Sequence, residues 1–332
     1  MTTEQLTPRR RILLAEPRGF CAGVRRAIGI VERALDLYGA PVYVRKEIVH
    51  NHHVVGELRR RGAVFVDSED EVPEGAVCVF SAHGVSPQVR AGAAARRLDV
   101  IDATCPLVSK VHQEAVRYVR DGRTILLVGH EDHEEVEGVR GEAPARTLVV
   151  ESAEDVARLD LPDDTPVAYL TQTTLSFDET ADVIEALHRR FTDLVGPHGD
   201  DICYASQNRQ NAVKSLARSC DLVLVVGSLN SSNSLRMVEV ARREGCAAHL
   251  VPDATHLDEE WLEGARTVGL SAGASAPEVL VRGLVERLAE LGHTEVRVDE
   301  GTPEDVVFAM PARLADPVTG RAPLTPLADE NG

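Results

Sequence analysis

Three times this chain runs from a short extended segment through a cysteine into an amphipathic helical stretch. RILLAEPRGF leads to Cys21 and CAGVRRAIGIVERAL, DVIDAT to Cys105 and CPLVSKVHQEAVRYV, and DDI to Cys203 and CYASQNRQNAVKSLA. The cysteines lie 84 and 98 residues apart, a domain-sized period. The segments that follow each helix match as well. A strand ends in a polar loop in VYVRKEIVHNHH, TILLVGHEDHEE and LVLVVGSLNSSN. A second strand carries an acidic connector in AVFVDSEDEV, TLVVESAEDVARL and AHLVPDATHLDEEWL. A third ends in another polar loop in AVCVFSAHGVSP, PVAYLTQTTLS and TVGLSAGASAP. The apolar runs are short and do not alternate, as in strands covered on both faces. Strands alternating with helical patterns imply parallel sheets. The expected fold is therefore α/β, with three repeated parallel-sheet units. The expected boundaries are 1–104 around Cys21, 105–202 around Cys105 and 203–310 around Cys203, with 311–332 a flexible tail rich in Pro and polar residues.

Composition narrows the function. A net charge of −17 argues against non-specific binding to nucleic acid or an anionic membrane, and 4% aromatics leave little for base stacking. Any phosphate must be held by a local site. No apolar run approaches the roughly 20 residues of a membrane span, and the N-terminus lacks a signal-peptide pattern, so a cytoplasmic location is expected. Six cysteines in 332 residues are too sparse for a disulfide scaffold. Cys78, Cys220 and Cys246 have no shared context and read as buried apolar residues.

In open parallel sheets, ligands gather beyond the carboxyl ends of the strands. One such end in each unit carries a cysteine. A second carries His50, or His130 and His133 with Glu135, or Ser231, Ser232 and Asn233. The third carries His83, Thr173 or Ser275. Three convergent thiolates suit zinc with an open position or a cubane iron–sulfur cluster with one open iron. A helix N-terminus behind each cysteine is expected to favour the thiolate. Imidazole, hydroxyl and amide groups suit phosphate oxygens, and the Ser231-Ser232-Asn233 loop opens a helix. His52, His53 and His130 read as exposed or supporting residues. Glu135 sits in the acidic run GHEDHEEVEG, ordinarily a solvated helix start. Arg59-Arg60-Arg61 is either a docking patch for an acidic partner or a plain solvated helix face. A zinc hydrolase and a non-enzymatic iron–sulfur sensor are the competing classes.

GFCAGV at Cys21, VHN at His50, AHGVSP at His83, DATCP at Cys105, GHEDHEEVEG around His133, TQTTLS at Thr173, DICYASQNRQ at Cys203, GSLNSSNS at Ser231 and SAGAS at Ser275 resemble the 4-hydroxy-3-methylbut-2-enyl diphosphate reductases, the IspH/LytB family. The matches run in order from about residue 12 to 310. The resemblance implies a trefoil of three α/β domains around a central 4Fe–4S cluster. It implies removal of the allylic hydroxyl with two electrons and two protons, giving isopentenyl and dimethylallyl diphosphate, the last step of the methylerythritol phosphate route. Cys21, Cys105 and Cys203 match the cluster ligands, leaving the apical iron open. Glu135 matches the proton donor and Thr173 the hydroxyl that relays or orients that proton. His50, His83, Ser231, Asn233 and Ser275, with Ser232 alongside, match the diphosphate ligands, and His133 matches the pocket histidine beside the acid. The family also implies an external electron donor such as ferredoxin or flavodoxin; the chain's negative charge then calls for a local Arg patch. One departure stands out: Glu134 occupies the position before Glu135 where the family pattern has Pro. Like-charge repulsion is expected to raise the acid's pKa.

Overall fold

The computed structural model describes residues 10–315. It contains three parallel sheets. The strands are β1 (Arg10–Ala15), β2 (Val42–Arg45), β3 (Ala63–Val66), β4 (Val77–Phe80), β5 (Asp99–Asp102), β6 (Thr124–Val128), β7 (Thr147–Val150), β8 (Val167–Thr171), β9 (Leu194–Val195), β10 (Leu222–Val226), β11 (Ala247–Val251), β12 (Thr267–Ala272) and β13 (His293–Asp299). Two four-stranded sheets have the order β3-β2-β4-β5 and β7-β6-β8-β9; the third has the order β11-β10-β12-β1-β13. Every ladder is parallel. The apolar runs explain this: LVLVV of β10 is buried along its whole length, as a strand covered by helices on both faces must be.

The repeat has a permuted topology. β1 does not head the first sheet, as a unit beginning at residue 1 would have it; it pairs with β12 and β13 in the third. The same step occurs at each cysteine. β5 lies in the first sheet, while the helix after Cys105, Pro106–Arg120, packs on β6 and β8 of the second. β9 lies in the second sheet, while the helix after Cys203, Tyr204–Ser219, packs on β12 and β1 of the third. The helix after Cys21, Ala22–Tyr38, packs on β2 of the first. Each cysteine thus marks the passage of the chain from one sheet to the next. RILLA has apolar residues to bury on both faces, and the slot beside β12 is where it closes the ring.

Each unit has its own apolar layers. The segment expected to be loose from residue 311 begins instead as a packed element. Leu314 is fully buried among Ile28, Val31 and Ile101, Arg33 donates to its carbonyl at 3.3 Å, and Arg313 pairs with Asp99 at 2.8 Å. Residues 1–9 and 316–332 lie outside the described residues. No helix among the described residues is long and apolar enough to cross a membrane.

Candidate active site

The three cysteines are the N-caps of their helices, and each backbone N–H is tied to the polar loop of the sheet it leaves. Cys21 N donates to Ala274 O at 3.1 Å, Cys105 N to Ala82 O at 2.9 Å and Cys203 N to Thr173 O at 2.9 Å. The accepting carbonyls flank Ser275 and His83 and belong to Thr173 itself. Cysteines and polar loops are therefore locked together in three equivalent corners. Cys21, Cys105, Cys203, His50, His83, His133, Glu135, Thr173, Ser231, Ser232, Asn233 and Ser275 all line one cavity. Cys78 and Cys246 are buried elsewhere in apolar layers, and Cys220 lies against the same layer as Cys246.

The sulfur of Cys105 lies close enough to Gly23 to need a glycine there. A Cβ at Gly23 would stand 2.7 Å from Cys105 Sγ and 3.8 Å from Cys21 Sγ. Amide N–H groups do point at the sulfurs, with Val24 N donating to Cys21 Sγ at 3.4 Å. At Cys105 and Cys203 such groups do not carry the thiol to a thiolate, contrary to the helix-terminus expectation. Burial, with the nearby Cys21 acting in the same direction, pushes Cys105 up to about 11 and Cys203 up to about 12. Gathered thiolates without a cation thus oppose one another in a site of low dielectric. A metal group would relieve both penalties, since coordination deprotonates a thiol outright. Three cysteine sulfurs on one cavity are a donor set that suits a thiolate-held metal group.

Glu135 is the buried acid. It lies in the first turn of the helix Glu134–Arg140, which has Val136 and Val139 on its inner side and Glu137 exposed. Acidic composition suggested a solvated start; helical geometry turns this one carboxyl inward, to 2% exposure. Its two oxygens meet one residue. Thr173 N donates to Oε1 at 2.7 Å and Thr173 Oγ1 to Oε2 at 2.8 Å. These bonds favour the carboxylate, yet burial outweighs them and raises Glu135 to about 7, with Asp201 contributing in the same direction. Glu134 is not the cause, as like-charge repulsion had suggested. Its Oε2 turns to His83 Nδ1 at 3.1 Å.

Three imidazoles form the opposite wall. His50 and His83 stack with centroids 4.0 Å apart, and His133 stands edge-on to both at 5.4 and 5.8 Å. His133 Nδ1 accepts from Glu135 N at 3.2 Å, so its proton sits on Nε2. Burial, then the charges of His83 and His50, hold it down to about 2, which leaves it a neutral donor. The third wall is the start of the helix Ser232–Arg243. Ser231 caps it, accepting from Ser234 N at 3.4 Å. Asn233 donates to Ser206 Oγ at 3.2 Å and accepts from Ala274 N at 2.9 Å. Ser232 Oγ receives Thr174 Oγ1 at 3.0 Å, and Ser275 Oγ donates to His50 O at 2.9 Å.

The sequence reading did not single out Gly23, Thr174 or Ser206, and it noted Glu134 only as a charge beside the acid, not as a partner of His83. Thr174 and Ser206 lie within the quoted motifs TQTTLS and DICYASQNRQ but carry no distinguishing type; Gly23 is legible only as the small residue two past a cysteine. The supporting histidines divide: His52 is exposed, whereas His130 lies 3.5 Å from Glu151. The Arg59-Arg60-Arg61 run is no free patch. Arg61 pairs with Glu32 and Asp36, Arg60 pairs with Glu57, and Arg59 lies over the Phe65 ring.

The LytB protein family matches residues 12–289. A curated relative from Nocardia farcinica, a 4-hydroxy-3-methylbut-2-enyl diphosphate reductase, is 60% identical over 306 residues, covering 92% of this chain and 91% of its own. A relative of the same name from Acidothermus cellulolyticus is 55% identical over 327 residues, covering 98% and 96%. The solved E-1-hydroxy-2-methyl-but-2-enyl-4-diphosphate reductase of Plasmodium falciparum superposes with a TM-score of 0.90 at 37% identity, covering 92% of this chain and 97% of that one.

Proposed function

The chain belongs to the LytB protein family, and on that premise we propose that it reduces (E)-4-hydroxy-3-methylbut-2-enyl diphosphate to isopentenyl and dimethylallyl diphosphate. The allylic C–O bond breaks, two electrons and two protons are consumed, and the oxygen leaves as water. The observation that carries this reading is the convergence of three cysteines, a buried acid near neutral pKa and an anion-binding wall on one cavity.

Cys21, Cys105 and Cys203 would hold a 4Fe–4S cluster, with no fourth protein ligand needed. Such a cluster supplies electrons, received from a donor such as ferredoxin or flavodoxin, and an open Lewis-acidic position for the hydroxyl. The remaining work belongs to side chains of this chain. Ser231, Ser232, Asn233 and Ser275, at and beside a helix N-terminus, hold the diphosphate with His50 and His83. Anchoring that end positions the allylic alcohol near the sulfurs and Glu135. When Glu135 carries its proton on Oε2, that O–H donates to Thr173 Oγ1, and the threonine hydroxyl is free to pass its own proton to the leaving oxygen. The contact is already 2.8 Å long. His133 contributes a neutral Nε2–H donor and no proton. Burial of the site excludes water from a carbon centre that is accepting electrons.

The test is the visible and EPR spectrum of protein purified without oxygen, with and without the hydroxylated allylic diphosphate. A brown four-iron protein whose signal shifts on adding that diphosphate, followed by its reduction, supports the assignment. A colourless protein that stays iron-free after anaerobic reconstitution overturns it in favour of three-cysteine zinc chemistry on a phosphorylated substrate.

A further inference from the structure

We propose that Glu134 is a positioning residue of the diphosphate pocket: its carboxylate holds the Nδ1 side of His83, so that the imidazole presents Nε2 to the bound diphosphate and can take up a proton as the anion arrives. The inference rests on the diphosphate reading above.

The geometry is specific. Glu134 Oε2 is 3.1 Å from His83 Nδ1. One nitrogen of His50, one of His83 and an oxygen of Glu134 all lie within 4.8 Å of one another. Glu134 opens its helix directly before Glu135, so two neighbouring carboxyls face different partners: Glu135 meets Thr173 and Glu134 meets His83. An ionised carboxylate only accepts hydrogen bonds, so the Nδ1 proton is fixed on the Glu134 side and Nε2 is left for the cavity. Ser81 Oγ, at 3.4 Å from the same nitrogen, is a weaker substitute.

The charges around His83 explain why a carboxylate is needed there. Burial and the stacked His50 hold the ring below its ordinary pKa, while Glu134 and the more distant Glu47 pull the other way. Glu134 itself lies below the usual carboxylate range. Its burial would raise it, but His83, His50 and Lys46 outweigh that. The resting pair is therefore a neutral imidazole donating to a carboxylate. His133 stands edge-on and neutral, and His50 leans on Glu47 at 3.4 Å. A diphosphate arriving at Nε2 adds negative charge on the second side of the ring. An imidazolium between carboxylate and phosphate then becomes the favoured state, and a proton enters from solvent.

Inorganic diphosphate titrated calorimetrically into the anaerobically purified holoenzyme at pH 8, in buffers of different ionisation enthalpy, reads both affinity and proton uptake. Wild type should bind with net uptake of protons. Glu134→Gln is isosteric and still accepts from Nδ1, so it keeps the helix start and the ring orientation but loses the charge. It should bind roughly tenfold more weakly and take up fewer protons. In a His83→Asn background the same change should have no further effect on either quantity. Wild-type affinity and uptake in Glu134→Gln would overturn the proposal, as would an equal loss in the His83→Asn background, which marks a merely structural role. Failure of wild type to bind diphosphate at all would overturn the anion-site reading itself, and this inference with it.

Discussion

Replacing Glu135 by Gln removes a buried acid that lines the cavity while leaving its shape. Burial moves this carboxyl from 4.5 to about 7. At pH 7 about half of it then carries a proton, whereas a carboxyl at 4.5 would be protonated only about once in 300 molecules. The protonated fraction is complete well below pH 7 and falls about tenfold per unit above it. Turnover by the wild-type enzyme should therefore hold steady on the acid side of 7 and decline above it. Glutamine at this position can still accept from Thr173 N–H but has no proton to pass to Thr173 Oγ1. General acid catalysis contributes typically about 10²–10⁴-fold, so turnover should fall by that factor. The cluster spectrum and affinity for inorganic diphosphate should stay near wild type, because no sulfur and no residue of the anion wall has changed. The assay is anaerobic substrate consumption with a chemical reductant, followed from pH 6 to 9 in both proteins. A variant that turns over within tenfold of wild type, or a wild-type profile with no descending limb above pH 7, would refute the relay through Thr173.

Three other substitutions probe different parts of the structure. Gly23→Ala places a methyl 2.7 Å from Cys105 Sγ; it should lower bound iron sharply with far-UV dichroism unchanged, and full iron content would show that the sulfurs tolerate displacement. Asn233→Ala should weaken inorganic diphosphate binding roughly ten- to hundredfold, the worth of a hydrogen bond to a charged group, while leaving the cluster spectrum intact. Leu314→Ala, at a site with 0% exposure, should lower stability by about 2–5 kcal/mol in denaturant unfolding; a loss below about 1 kcal/mol would mean that this segment does not anchor on the first sheet.

How far the primary sequence carries depends on the kind of question. Repetition of strand, cysteine and helix was legible because each unit obeys local rules: β-rich apolar runs form strands, amphipathic periods form helices, and polar loops lie at strand ends. From those rules the parallel sheets and the candidate residues could be read before any contact was known. The pairing of β1 with β12 could not, because apolar residues specify that a strand is buried and not which sheet buries it. Glu135 shows the same boundary. Its neighbours Glu131, Asp132 and Glu137 are chemically alike, and only the turn of the helix against Thr173 makes one of them a buried acid. Cys105 and Cys203 reverse an expectation drawn from local structure alone. A helix N-terminus favours a thiolate, but burial and the other sulfurs weigh more, and neither can be counted until the three corners meet. Glu134 reads as an added charge beside the acid until its side chain is seen to turn to His83. Local pattern thus determined the elements, their repetition and the inventory of reactive groups. Distance, burial and orientation, which depend on contacts between residues far apart in the chain, decided what each group is able to do.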